Sequence, residues 1–163
     1  EEFEILRRMS VKAPQPTQVL TTDTIIELQD MASDVFVHNL VAEYIVRLVL
    51  ATRSPGDFDM PDLDPVIQIG CSPRATLGLV AASRALALIH GRDYVLPTDV
   101  QAIAKDVMAH RIMLSFDAVA DNIAPAQVID RILAMVPPPT PVWNRQQRET
   151  SHQQHRYDAS YDN

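Results

Sequence analysis

The stretch from Gly70 to Val100, G-C-S-P-R-A-T-L-G-L-V-A-A-S-R-A-L-A-L-I-H-G-R-D-Y-V-L-P-T-D-V, constrains this chain more than any other. It reads as turn, helix, turn, helix. Ser72 is a good helix N-cap, because a hydroxyl there can accept from an unpaired N–H of the first turn. Pro73 fits the first helical position, where its missing N–H costs nothing. Arg74 follows at once, and it is a poor local choice, since a helix N-terminus already carries partial positive charge. The misfit points to an anion that the helix end and Arg74 both bind. The alternative is an arginine paired with a nearby Asp or Glu.

The helix spans about Pro73 to His90. Leu77, Val80, Ala81, Ala85 and Leu88 fall on one face, and Leu79, Leu86 and Ile89 widen it, as expected of a central helix in a bundle. Gly91 suits the residue that ends it. Arg84, the one charge inside the run, reads as a rim residue reaching to water. After Tyr94 and Val95 a fourth helix begins near Pro97, Thr98 and Asp99 and runs to about His110. Thr98 and Gln101 have capping-box spacing if the start is Thr98. His110 and Arg111 suit its C-terminal dipole.

Upstream, Glu1 to Met9 has Phe3 and Leu6 on one helical face, and Ser10 to Gln18, with Pro14 and Pro16, reads as an extended linker. Val19 to Val35 holds the first full helix, capped by Thr22 or Asp23, with Ile25, Leu28, Ala32 and Val35 in helical register. The second runs from about His38 to Thr52, with Tyr44, Ile45, Leu48 and Val49 in its apolar stripe. Glu43 and Arg47 stand four apart as a stabilising pair, and Arg53 suits the C-terminal dipole. A role for Arg53 at a subunit interface is the weaker alternative. Ser54 to Ile69 reads as a loop holding Asp57, Asp59, Asp62 and Asp64. That spacing lacks the glycine and terminal Glu of a calcium loop, so the cluster reads as solvated rather than metal-binding. Ile112 to Leu114 reads as a short strand. Pro125 to Val136 makes a last helix, stopped by Pro137 to Pro139. From there the chain is rich in Gln, Arg, His, Ser and Tyr and reads as a disordered tail, with Trp143 its one large apolar residue.

The expectation is therefore an all-α fold: a small helical bundle over residues 19–136, preceded by a linker in 1–18 and followed by a tail over 137–163. Apolar residues make up 47% of the 163, enough for a core. No apolar run approaches the roughly 18 residues that cross a membrane, and no basic stretch leading into an apolar run suggests a signal peptide. The first residue is Glu, so the chain reads as a piece of a longer one. The single cysteine, Cys71, excludes an internal disulfide, suits the cytoplasm and reads as a packing residue. A net charge of −7 with no basic run argues against nucleic acid as a partner.

The ordered set Gly70-Cys71-Ser72-Pro73-Arg74-Ala75, Ala85-Leu86-Ala87, Gly91-Arg92-Asp93-Tyr94-Val95, Pro97, Asp99-Val100 and His110-Arg111, with Tyr44-Ile45 and Ala51-Thr52-Arg53 before it, resembles the C-terminal lid of MoxR-type AAA+ ATPases. The resemblance covers roughly Glu1 to Leu114. It implies that residues 1–18 hold the end of the ATPase core and a linker. It implies that Arg74, with Ser72 and Pro73 at the helix N-terminus, is the sensor-2 arginine that reaches the γ-phosphate of ATP. It implies ATP with magnesium in the full-length protein, a homo-oligomeric, hexameric ring, and chaperone-like remodelling of client proteins, often proteins with von Willebrand factor A domains. Two positions depart from the pattern. Cys71 replaces a small Ala, and Leu96 stands where a capping Thr is common, which moves the expected helix start to Thr98.

No G-x-x-x-x-G-K-[ST] phosphate loop occurs in the chain, nor an apolar strand ending in paired acids. No catalytic triad or carboxylate pair is specified either, so this chain alone is expected to hold no ATP and to be inactive. The competing reading is a free-standing helical interaction module with no nucleotide role.

Overall fold

The computed structural model describes residues 2–10 and 17–140. Residues 11–16 of the expected linker and 141–163 of the expected tail, with Trp143, lie outside the described residues. The described chain runs α1 (Glu2–Ser10), α2 (Thr22–Asp34), α3 (Asn39–Ala51), β1 (Ile67–Ile69), α4 (Pro73–Ile89), α5 (Pro97–Met108), β2 (Met113–Leu114), α6 (Phe116–Ala120) and α7 (Pro125–Met135), with single 3-10 turns at Pro55–Phe58, Pro61–Leu63 and Ala109–Arg111. It is the expected all-α bundle, with a two-stranded antiparallel ribbon, β1 against β2, laid on it.

α4 is central and packs against α2, α3 and α5. Its buried row is Ala75, Leu79, Ser83 and Ala87, a strict four-residue repeat of mostly small side chains. This corrects the expected face. Leu77 is 71% and Ile89 77% exposed, and Ala81 also faces solvent. Small residues hold the inner face because the neighbouring backbones come close there. A Cβ on Gly78 would lie 3.1 Å from Val107 Cγ1. Large apolar side chains would hold the helices apart. Arg84 is half-buried, and its Nε is buried without a hydrogen-bond partner, as is the Ser83 hydroxyl.

Gly91 ends α4 as the pattern requires. Its φ of 69° is the left-handed conformation that glycine adopts without steric cost. Its N–H donates to the Leu88 carbonyl at 2.8 Å, and the next N–H, of Arg92, donates to Ala87 at 2.9 Å. These two bonds are those of a Schellman turn. The turn delivers Arg92 to Asp99 as a two-pronged pair, Nη1–Oδ2 at 2.7 Å and Nη2–Oδ1 at 2.6 Å. Asp99 also accepts from the Leu96 N–H at 2.8 Å. The third helical residue thus caps α5 from inside, which is why the helix starts at Pro97 and not at the expected Thr98. No hydroxyl is needed at Leu96. Burial works to raise the Asp99 pKa, but the Arg92 fork and the Leu96 N–H outweigh it and hold the carboxyl below its ordinary range.

α3 carries the other half of the core: Val41, Tyr44, Ile45, Leu48 and Val49 are buried. His38 caps it, Nδ1 accepting from the Leu40 N–H at 3.1 Å. The expected Glu43–Arg47 pair does not form, because two exposed long side chains gain too little to be held in one geometry. Phe36, just before α3, exchanges backbone bonds with Asp93 and Val95 and so ties the α2–α3 junction to the α4–α5 junction. α2 starts after Thr21, one residue before the expected caps, and Thr21 Oγ1 accepts from Thr24. None of its residues is fully buried. Of the expected stripe only Val35, just past its end, enters the core.

The expected loop from Ser54 to Ile69 instead holds two 3-10 turns, each opened by a proline, that bury Met60 and Leu63. Two of its four acids have ordinary partners: Asp62 pairs with Arg131 at 2.6 Å, and Asp64 accepts from the Gly56 N–H. α6 was not legible, being five residues long; Ser115 caps it. α7 buries Val128, Ile129 and Ile132 as expected.

Asp99→Ala should destabilise the fold by roughly 3 kcal/mol, because it leaves the Arg92 fork without its counter-charge in a shielded site. The depressed carboxyl sets the pH window. Its contribution is complete above the unfolded carboxylate pKa of about 4 and is lost as pH falls through the lower folded value. Urea unfolding between pH 7 and pH 2 should therefore show the gap between the parent and Asp99→Asn narrowing only below about pH 4. Gly91→Ala should cost about 1 kcal/mol in the same assay.

Candidate functional site

The site is the turn that enters α4, and the end of α3 holds it. Thr52, 1% exposed, accepts from the Cys71 N–H through Oγ1 at 2.8 Å and donates to the Val49 carbonyl at 2.6 Å. Gly70 lies so close to this backbone that a Cβ on it would stand 2.3 Å from the Thr52 carbonyl oxygen. Arg53 Nε donates to the Cys71 carbonyl at 2.6 Å. Arg53 thus braces the turn beyond its own helix, where the sequence suggested only that it suits the α3 dipole. Both backbone groups of Cys71 are taken by neighbouring residues of one helix end, so the direction in which α4 leaves is fixed.

Cys71 itself is fully buried, with Sγ donating to the Met108 carbonyl at 3.7 Å. Burial pushes its thiol pKa up, against smaller opposite effects of Thr52, Arg111 and Arg53. It is a packing residue, as the sequence suggested, and its raised pKa disfavours the nucleophilic thiolate.

Ser72 and Pro73 occupy the expected N-cap and first helical positions. The Ser72 hydroxyl, however, makes no capping bond, which corrects that expectation. The Ala75 N–H is satisfied instead by the Ser72 carbonyl at 2.9 Å. Arg74 is exposed, and among the described residues it has neither an ion pair nor a hydrogen bond. The alternative reading, an arginine held by a nearby carboxylate, has no counterpart among the described residues. Arg111, in the 3-10 turn that follows α5, donates from Nε to the Val107 carbonyl at 2.9 Å and acts electrostatically on Cys71. Among the described residues no three His, Cys, Asp or Glu side chains gather as a metal site.

Sequence reasoning missed Thr52 and Gly70 as the pair that sets the turn. The available signal was a polar Thr closing a strongly apolar helix and a glycine two residues before an N-cap, but nothing local says that the two meet.

The family described as AAA lid domain matches residues 62–132. The chain is 48% identical over 136 residues to "Chaperone MoxR1" of Mycobacterium tuberculosis, covering 83% of this chain and 36% of that protein. It is 39% identical over 102 residues to "Protein MoxR" of Paracoccus denitrificans, covering 59% and 30%. A crystal structure of a Cytophaga hutchinsonii protein assigned as an ATPase superposes with a TM-score of 0.77 at 32% identity, covering 85% of this chain and 43% of that one. The chain thus spans less than half the length of each of these relatives.

Thr52→Val should cost about 1–3 kcal/mol, since it strands a buried N–H, and should speed hydrogen exchange at the Cys71 amide. Gly70→Ala should be worse, because its Cβ meets backbone that cannot yield. Denaturant unfolding together with amide exchange by NMR checks both.

Proposed function

Because this chain carries the AAA lid domain of a MoxR-type AAA+ protein, we propose that it senses ATP through Arg74 and passes the nucleotide state on as a movement of the lid. The observation that carries this reading is the state of Arg74. In a chain of net charge −7, an exposed guanidinium at the N-terminus of a 17-residue helix has no acidic partner among the described residues. The donors there suit a terminal phosphate: a planar fork, the positive end of a long helix, and a Ser72 hydroxyl not committed to a capping bond. The residues of a phosphate loop are lacking in this sequence. On this reading they come from the ATPase core of the same protein, with residues 1–18 as the end of that core and the strap to it.

Bound ATP with its magnesium supplies the phosphoryl bond whose cleavage drives the parent protein. Arg74 meets the negative charge on the γ-phosphate oxygens as that bond breaks. The α3 end, by holding Gly70 and Cys71, keeps the fork from swinging away, so closing on the phosphate moves the whole bundle. A homo-oligomeric ring, hexameric in the expected form, then carries the movement to neighbouring subunits and to client proteins, among them proteins with von Willebrand factor A domains. The cytoplasm is the expected setting, and no helix of the described residues is long and apolar enough to cross a membrane.

The test is ATP turnover of the full-length protein with Arg74 intact and with Arg74→Ala. The reading predicts a fall of roughly 10²- to 10³-fold, the loss typical of one donor to developing charge, with assembly unchanged by light scattering. Unchanged turnover contradicts it.

A further inference from the structure

Arg74 is not alone at its end of the bundle. Arg53 comes from the end of α3 and sets its Nε on the Cys71 carbonyl, three residues before Arg74. Arg111 comes from the 3-10 turn that follows α5 and sets its Nε on the Val107 carbonyl. Val107 packs against Gly78, one turn along α4 from Arg74, and the Met108 carbonyl touches Cys71 Sγ. Both Arg53 and Arg111 act electrostatically on the Cys71 thiol. Arg53 and Arg111 therefore both bear on Cys71, three residues before Arg74.

All three are exposed, and among the described residues none forms an ion pair. Elsewhere in the bundle Arg92, Lys105 and Arg131 hold Asp99, Asp130 and Asp62, while Arg47 and Arg84 form no ion pair but stand singly. Bracing the Cys71 carbonyl uses one N–H of Arg53, and capping the Val107 carbonyl near the end of α5 uses one of Arg111. The terminal nitrogens of both have no acceptor among the described residues. Gathering like charges without a counter-charge is unfavourable to the fold by itself, and an anion bearing several charges reverses that sign.

We propose that Arg53, Arg74 and Arg111 form one site for an oligophosphate, the phosphate chain of a nucleoside triphosphate, with Arg74 as one of three guanidinium forks. The inference rests on the reading of Arg74 as phosphate-facing. It extends the contact from a single terminal phosphate to linked phosphates, which planar forks grip two oxygens at a time.

The test is calorimetric titration of the 163-residue chain at low ionic strength with inorganic tripolyphosphate, with orthophosphate and a short poly-glutamate peptide as comparisons. Tripolyphosphate should bind more tightly than either. Arg53→Gln, Arg74→Gln and Arg111→Gln should each weaken it about five- to tenfold, the scale of one charge-assisted contact. Each should also reduce the slope of log affinity against log salt. Arg53→Lys keeps a donor for the Cys71 carbonyl, so it separates loss of the ligand contact from loss of the turn, and thermal melts report folding for every variant. A loss confined to Arg74→Gln overturns the three-arginine site and leaves the role of Arg74 standing. Absence of binding, or binding that no substitution alters, overturns the site as well, and the role of Arg74 is then decided by ATP turnover alone. Tighter binding of poly-glutamate than of tripolyphosphate overturns it in favour of an acidic peptide.

Discussion

The hydrogen bond from the Cys71 N–H to Thr52 Oγ1 is the constraint on which the rest of this structure depends. It is short, fully buried and made by a side chain anchored in turn on Val49. With Gly70 pressed against the Thr52 backbone, it joins the end of one core helix to the start of another across a separation of 19 residues. A buried N–H without an acceptor costs far more than a bond of this kind contributes net. The turn therefore has one good position, and everything C-terminal to it inherits that position: the direction of α4, the packing of its small-residue row, and the placing of Arg74 in open solvent.

Charge is distributed to match. Where the bundle needs a cation for its own stability, the cation is paired, most firmly in the Arg92–Asp99 fork that closes the α4–α5 turn. Where α4 begins, the cations are left without carboxylates. The two ends of α4 thus have different tasks. The C-terminal end is locked by a Schellman turn and an ion pair, and the N-terminal end is held rigid in its backbone and open in its side chains. The proposed nucleotide-sensing role needs this combination, because a fork on a flexible turn would follow a phosphate without moving the domain.

Much of this was legible in the sequence. The helices α3, α4, α5 and α7 follow from apolar periodicity with Pro at the start and Gly91 at a stop, since local sterics and burial act together there. The inner face of α4 was not legible, because hydrophobicity ranks Leu77 above Ala75 and Ser83 while close helix packing reverses that order. The start of α5 was missed because its cap is a carboxylate inside the helix, steered by an arginine seven residues earlier. α6 is too short to show a period. At the site, Arg74 was visible as an electrostatic misfit and Ser72 as a plausible cap. The hydroxyl makes no such bond, and the true anchor, Thr52, lies 20 residues before Ser72, beyond what spacing can reveal.

The most direct test of the account is a double-mutant cycle on ATP turnover in the full-length protein, with Thr52→Val, Arg74→Ala and both together. If the α3 end serves the site by aiming Arg74, Thr52→Val lowers turnover when Arg74 is present and has no further effect once Arg74 is gone. Equal factors in both backgrounds would mean that Thr52 stabilises the bundle without directing the arginine, and would contradict the account.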